Sequence, residues 1–184
     1  LLIQPGWQDS GPEHWQSHWQ QRLGARRVHN RDWHAPQLEE WLAGLHAGLE
    51  ACGRPAVVIA HSLGCITVAH YARRHPERIA AALLVAPADV ERSAVPAALA
   101  GFGPIPRAPL PFPAVVVASS NDPYCLPVRA AALAAAWQAP VEWLSGAGHI
   151  NAGSGLGGWQ EGERYLQRLY EQLQAGPARI AVGE

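Results

Sequence analysis

The sequence predicts a single α/β domain of three layers, α/β/α, built on a six-stranded parallel sheet. Six short apolar, β-branched runs recur along the 184 residues, and amphipathic stretches of helical spacing lie between most of them. The runs at 56–60 and 114–118 are apolar throughout, as expected for strands buried on both faces of a parallel sheet.

Taken in order, the first strand is read at 1–4 and stops at Pro5-Gly6. Trp15, Trp19 and Leu23 then recur at helical spacing over 14–23, and 25–29 gives the second strand. Leu38, Trp41, Leu42, Leu45 and Leu49 share one face of a helix over 38–49. The third strand, 56–60, runs into a helical pattern over 66–74, and 81–86 is the fourth. Residues 87–113 hold seven of the sixteen prolines, so no regular element is expected through them. A connection of that length is either functional or mobile, or else a rigid surface loop with a short helix near 93–100. Strands at 114–118 and 141–145 follow, and Trp159, Leu166, Leu169, Tyr170 and Leu173 line a last helix. The domain is expected to span 1–174, with a loosely held tail over 175–184.

Composition narrows the chemistry. A net charge of -1 and a pI near 6.8 give no basic field, so neither nucleic acid nor an anionic membrane is expected as a partner. No apolar run reaches the roughly 20 residues that span a bilayer, and no secretory leader is visible, so a cytoplasmic location is expected. Three cysteines without CxxC spacing argue against a disulfide framework or a zinc site. All 14 basic residues are Arg. Ser–Lys dyads, Schiff-base chemistry and a P-loop lysine are therefore excluded. The arginine-only, alanine-rich bias points to a high-GC bacterial source.

The first chemical motif is Ala60-His61-Ser62-Leu63-Gly64 at the end of the third strand. A Ser on a sharp strand–turn–helix junction adopts strained backbone angles that lift its hydroxyl above the sheet edge, and the residues two before and two after it must be small. Ala60 and Gly64 meet that need, giving A-x-S-x-G where G-x-S-x-G is usual. The same turn sets the Leu63 N–H at a helix N-terminus, where it favours a developing oxyanion. A Ser before a helix is also a preferred cap, which is the competing explanation.

A Ser nucleophile needs a base. Of nine His, most lie in helical patterns; His149 instead follows the last strand in Ser145-Gly-Ala-Gly-His149, on the sheet edge where open α/β sheets build their sites. The orienting acid should fall between Ser and His in chain order, which leaves Asp89 and Asp122 of four Asp. Asp122, in Ser119-Ser120-Asn121-Asp122-Pro123, lies one strand before the His and is preferred. A second oxyanion donor is expected from the loop after the first strand, where Gly6 allows close approach and the Trp7 N–H can donate. Gly6 and His61 are further candidates to contact substrate.

Pro-Gly-Trp after the first strand, Glu13-His14-Trp15 on the first helix, His-Ser-Leu-Gly at the turn, Asn-Asp-Pro and Gly-His together resemble the small serine hydrolases related to retinoblastoma-binding protein nine. The resemblance runs from about Leu1 to Leu173. It implies a reduced α/β-hydrolase fold with no cap domain and strand order 2-1-3-4-5-6, with Ser62, Asp122 and His149 as the triad. It supplies no substrate.

The expected activity is therefore acyl transfer to water on a small-molecule ester, thioester or amide, of carboxylic ester hydrolase type, without metal or organic cofactor. The alternative is a non-catalytic binding module that keeps the hydrolase fold, its protein partner unknown. A flavodoxin-like nucleotide binder fails, because no Gly-rich phosphate loop follows the first strand. Eight Trp are more often core than acyl pocket.

Overall fold

Residues 1–175 are described by a computed structural model, and alternation along its central strand β3 (Ala56–His61) divides the core in two. Val58 and Ala60 belong to one apolar cluster, Val57 and Ile59 to the other. Over the first lie helices α2 (Leu38–Glu50), α3 (Leu63–Ala72) and α4 (Pro127–Ala136), contributing Trp41, Leu45, Ile66 and Leu133. Over the second lie α1 (Trp15–Leu23) and α5 (Glu163–Ala175), contributing Trp15, Trp19, Tyr165 and Leu169. Both faces of the sheet are covered, which is why β3 is buried at every residue.

The remaining strands are β1 (Leu2–Gln4), β2 (Arg26–Arg27), β4 (Ile79–Val85), β5 (Ala114–Ser119) and β6 (Val141–Leu144). All six pair in parallel in the order β2-β1-β3-β4-β5-β6, as the family resemblance implies, with no cap domain evident. Strand order reverses between β1 and β3, so the C-terminal edge opens a crevice there.

Several elements differ from the sequence reading. The second strand is two residues long, not five: Val28 still donates to the Ile3 carbonyl at 2.9 Å, then the chain leaves the sheet to pack Val28 under α2. Strand β4 starts two residues early. Helix α3 begins at Leu63, directly after the Ser. Helix α4 had no amphipathic signal because alanine fills most of it; Pro127 in its first turn supplies the start. Trp159 lies outside α5, at φ 39°, and stacks on Trp19 with ring centres 5.6 Å apart. Its apolar character marked the core, not the helix.

The proline-rich connection 87–113 is anchored by buried Leu99, Phe102 and Ile105, with a 3-10 segment at Ala97–Phe102. It is thus packed wall rather than free loop. Trp15, Trp19, Trp41 and Trp137 are fully buried, each removing on the order of 150 Å² or more from water, a gross gain of roughly 4 kcal/mol apiece. Among the described residues no helix is long and apolar enough to cross a membrane. The tail expected over 175–184 lies, beyond Ala175, outside the described residues.

Candidate active site

Ser62 stands between β3 and α3 with φ 55° and ψ -122°, a conformation that costs a non-glycine residue of order 1–3 kcal/mol. Its side chain makes no capping bond to α3. Two close approaches enforce the turn. A Cβ on Gly64 would meet the Gln4 and Pro5 carbonyl oxygens at 2.6 Å, and one on Gly6 would meet Ser62 Cβ at 2.7 Å. The small residue required after the Ser therefore leaves room for the β1 loop rather than for the turn itself.

The Ser62 hydroxyl lies 2.8 Å from His149 Nε2, and His149 Nδ1 lies 2.8 and 3.0 Å from the two carboxylate oxygens of Asp122. An ionised carboxylate only accepts, so the ring proton sits on Nδ1 and Nε2 keeps its lone pair for the Ser hydroxyl. The side chains of His149 and Asp122 are 8% and 2% exposed, so the pair is shielded from water.

A register of hydrogen bonds delivers the imidazole. The loop after β6 presents the N–H groups of Gly146, Ala147 and Gly148 to Ser120 Oγ, Ser119 Oγ and Asn121 Oδ1, at 3.0, 3.0 and 2.7 Å. Asp122 then takes His149. The last residue of β5 and the three that follow it thus hold four consecutive residues after β6, with the first two contacts crossed. Positive φ at Gly146 (65°) and Gly148 (56°) lets the second chain follow the first. The Asp122 carboxylate also accepts the Tyr124 N–H at 2.8 Å.

Asp89, the other candidate acid, is occupied elsewhere. Arg129 Nε and Nη2 meet its two oxygens at 2.8 and 3.0 Å, and Oδ1 also caps a turn through the Glu91 N–H at 3.0 Å.

Two further histidines stand beside His149: His61, a candidate substrate contact in the sequence, and His14, which the sequence places only on the first helix. His61 Nε2 donates to the His149 carbonyl at 2.9 Å, while the ring centres of His61 and His149 are 4.9 Å apart. Burial, then the neighbouring His149 and His14, hold His61 well below the usual imidazole range, so it is a neutral strut. His14 caps α1 by accepting the Gln16 N–H at Nδ1, 3.1 Å away. Burial first and Arg27 second lower its pKa to about 4. Its Nε2 is buried without an acceptor among the described residues. A His at a helix start, where Ser, Thr, Asn or Asp is usual, was the available signal.

Ser62, His149, His14, Trp7, Arg92 and Tyr124 border a cavity of about 350 Å³, at the small end of the range for small-molecule sites. His61 reaches its floor, whereas Gly6 is buried against Ser62. Leu63 follows Ser62 at the start of α3 and Trp7 follows Gly6, which packs on Ser62; neither backbone N–H donates to another group among the described residues. The Trp7 indole N–H is tied to the His34 carbonyl at 3.0 Å. Of the Trp residues only Trp7 borders the cavity; most others pack the core.

Known proteins agree with this architecture. The serine hydrolase family model matches residues 1–168. A crystal structure of a YdeN-like hydrolase from Pectobacterium atrosepticum is 35% identical, aligned over 95% of this chain and 90% of that one at a TM-score of 0.81. The ydeN gene product of B. subtilis aligns over 93% and 98% at 19% identity and a TM-score of 0.74. Est1E from Butyrivibrio proteoclasticus aligns over 93% and 88% at 13% identity and a TM-score of 0.70. At those two identities the likeness is one of fold. No curated protein sequence matches significantly. A family match over nearly the whole chain, meeting a strained Ser at the strand–helix turn, places this protein in the serine hydrolase family, and it is a hydrolase of α/β fold.

Proposed function

We propose that the protein hydrolyses small carboxylic esters, with thioesters and amides as chemically related substrates, through an acyl-enzyme on Ser62. His149 Nε2 takes the hydroxyl proton as Ser62 attacks the carbonyl, and the N–H groups of Leu63 and Trp7 receive the oxyanion. Asp122 holds the imidazole in the tautomer that accepts this proton and stabilises the imidazolium that forms. The imidazolium protonates the leaving group. Water then attacks the acyl-enzyme with His149 again as base, returning Ser62 and releasing the acid.

The observation that carries this reading is the 2.8 Å contact from Ser62 Oγ to an imidazole whose other nitrogen is held by a buried carboxylate. A Ser serving only as a cap would turn its hydroxyl to the helix. The test is turnover of p-nitrophenyl acetate together with labelling by a fluorophosphonate. The parent should do both, and Ser62→Ala should lose labelling and about 10⁴-fold or more in kcat. A parent that neither labels nor turns over would be a binding module instead.

A further inference from the structure

One wall of the cavity carries a charge that no carboxylate among the described residues neutralises. The segment after β4 brings two carboxylates, Asp89 and Glu91, and three guanidinium groups together. Arg129 grips both carboxylates, at 2.8 Å to Asp89 and 2.7 Å to Glu91, and Arg107 takes Glu91 at 2.6 Å. Arg92 is left over. Its Nη1 donates to the Asp89 carbonyl at 2.9 Å, which ties the side chain to the turn, and among the described residues no carboxylate lies within ion-pair distance. Two anions facing three cations leave one positive charge, and it borders the same cavity as Ser62.

The position of that charge is set by stacking. The Arg92 guanidinium lies over the Tyr124 ring, 5.4 Å from its centre. Tyr124 in turn meets the His149 ring edge to face, with centres 4.6 Å apart. The free cation is therefore one aromatic ring removed from the base, a separation that a short substrate bridges. The cavity's one other charged side chain outside the triad, Asp9, has its own counter-charge in Arg27 at 2.7 Å. His14 adds a second unused donor, its Nε2, which is buried without an acceptor. Both unmet groups ask for acceptor atoms, and one asks for negative charge.

We propose that the substrate of this site carries a carboxylate, held by Arg92 while its ester carbonyl lies at Ser62. The inference rests on the hydrolase reading above and extends it to the substrate. Arg92 binds a group away from the reacting bond, so it is a specificity residue whose loss raises KM for anionic substrates more than it lowers kcat.

Two matched pairs of esters test it. The first places the charge on the acyl side, p-nitrophenyl hydrogen glutarate against p-nitrophenyl pentanoate. The second places it on the leaving group, the butyrate of 4-hydroxybenzoic acid against that of its methyl ester. In one pair or both, kcat/KM should favour the anion by about 10-fold or more, the scale of a charge-assisted hydrogen bond. Arg92→Gln should erase that preference through KM, Arg92→Lys should keep most of it, and the distant control Arg31→Gln should leave it intact. Neutral esters preferred in both pairs would overturn the proposal and leave the hydrolase reading standing. So would a preference that survives Arg92→Gln, or one lost equally in the Gln and Lys variants, which would make the side chain a support for its loop. A parent inert to all four esters and to the fluorophosphonate would overturn both readings.

Discussion

Asp89 and Asp122 invite comparison, because they begin alike. Each follows a central strand at the same sheet edge, each is about 95% buried, and each accepts the N–H two residues on. Their partners differ. Asp122 faces an imidazole that can lose and regain its proton; Asp89 faces Arg129, which never does. The same carboxylate geometry thus meets a titratable partner in one place and a fixed charge in the other. The counter-group decides the role, not the loop.

The sharpest way to break this contrast is Asp122→Asn. The amide would donate to Nδ1 and leave the imidazole in the wrong tautomer, so kcat on p-nitrophenyl acetate should fall by about 10⁴-fold with the fold retained. A loss under tenfold would move the acid role elsewhere. Asp89→Asn should do the reverse. Removing the buried partner of a partly exposed Arg129, which keeps Glu91, should cost about 1–2 kcal/mol in urea denaturation while more than a tenth of the activity survives.

A third experiment moves from carboxylates to imidazoles. His14 titrates at about 4 in the folded state against 6.5 when unfolded, so between those values the unfolded chain binds more protons. Its contribution is complete above pH 6.5 and is lost as pH falls towards 4. His14→Asn keeps a capping side chain without a titrating group, and should reduce the stability drop between pH 7 and 4.5 by about 2 kcal/mol. An unchanged drop would assign acid lability to other groups. The smallest effect is expected from Ser119→Ala, which removes one rung between the acid and base loops. It should cost about 1 kcal/mol in stability and lower kcat several-fold at unchanged KM, as expected for a group that positions the base.

The parts of the molecule legible in its sequence are those governed by local backbone chemistry. Six strands were visible because period and β-branching are local, and Ser62 was visible because a strained turn demands small neighbours at fixed offsets. The triad candidates followed from chain order at one sheet edge. What was illegible depended on distant partners. Chain order favours Asp122 over Asp89, but the guanidinium of Arg129 that occupies Asp89 lies far along the chain and leaves no local signal. Trp159 looked helical because apolarity reports burial and not conformation. Helix α4 is inconspicuous in the sequence because the buried stripe of Ala130, Leu133 and Ala134 is mostly alanine, which also fills most of its exposed face. His14 reads as an ordinary helix residue and His61 only as a candidate substrate contact, since their packing beside His149 is a property of the assembled layers.

The four contacts from residues 119–122 to residues 146–149, the first two of them crossed, make length a constraint on both segments. Adding or deleting one residue in either would displace these contacts and carry the imidazole away from its carboxylate. Relatives of this chain are therefore expected to tolerate substitutions there more readily than gaps.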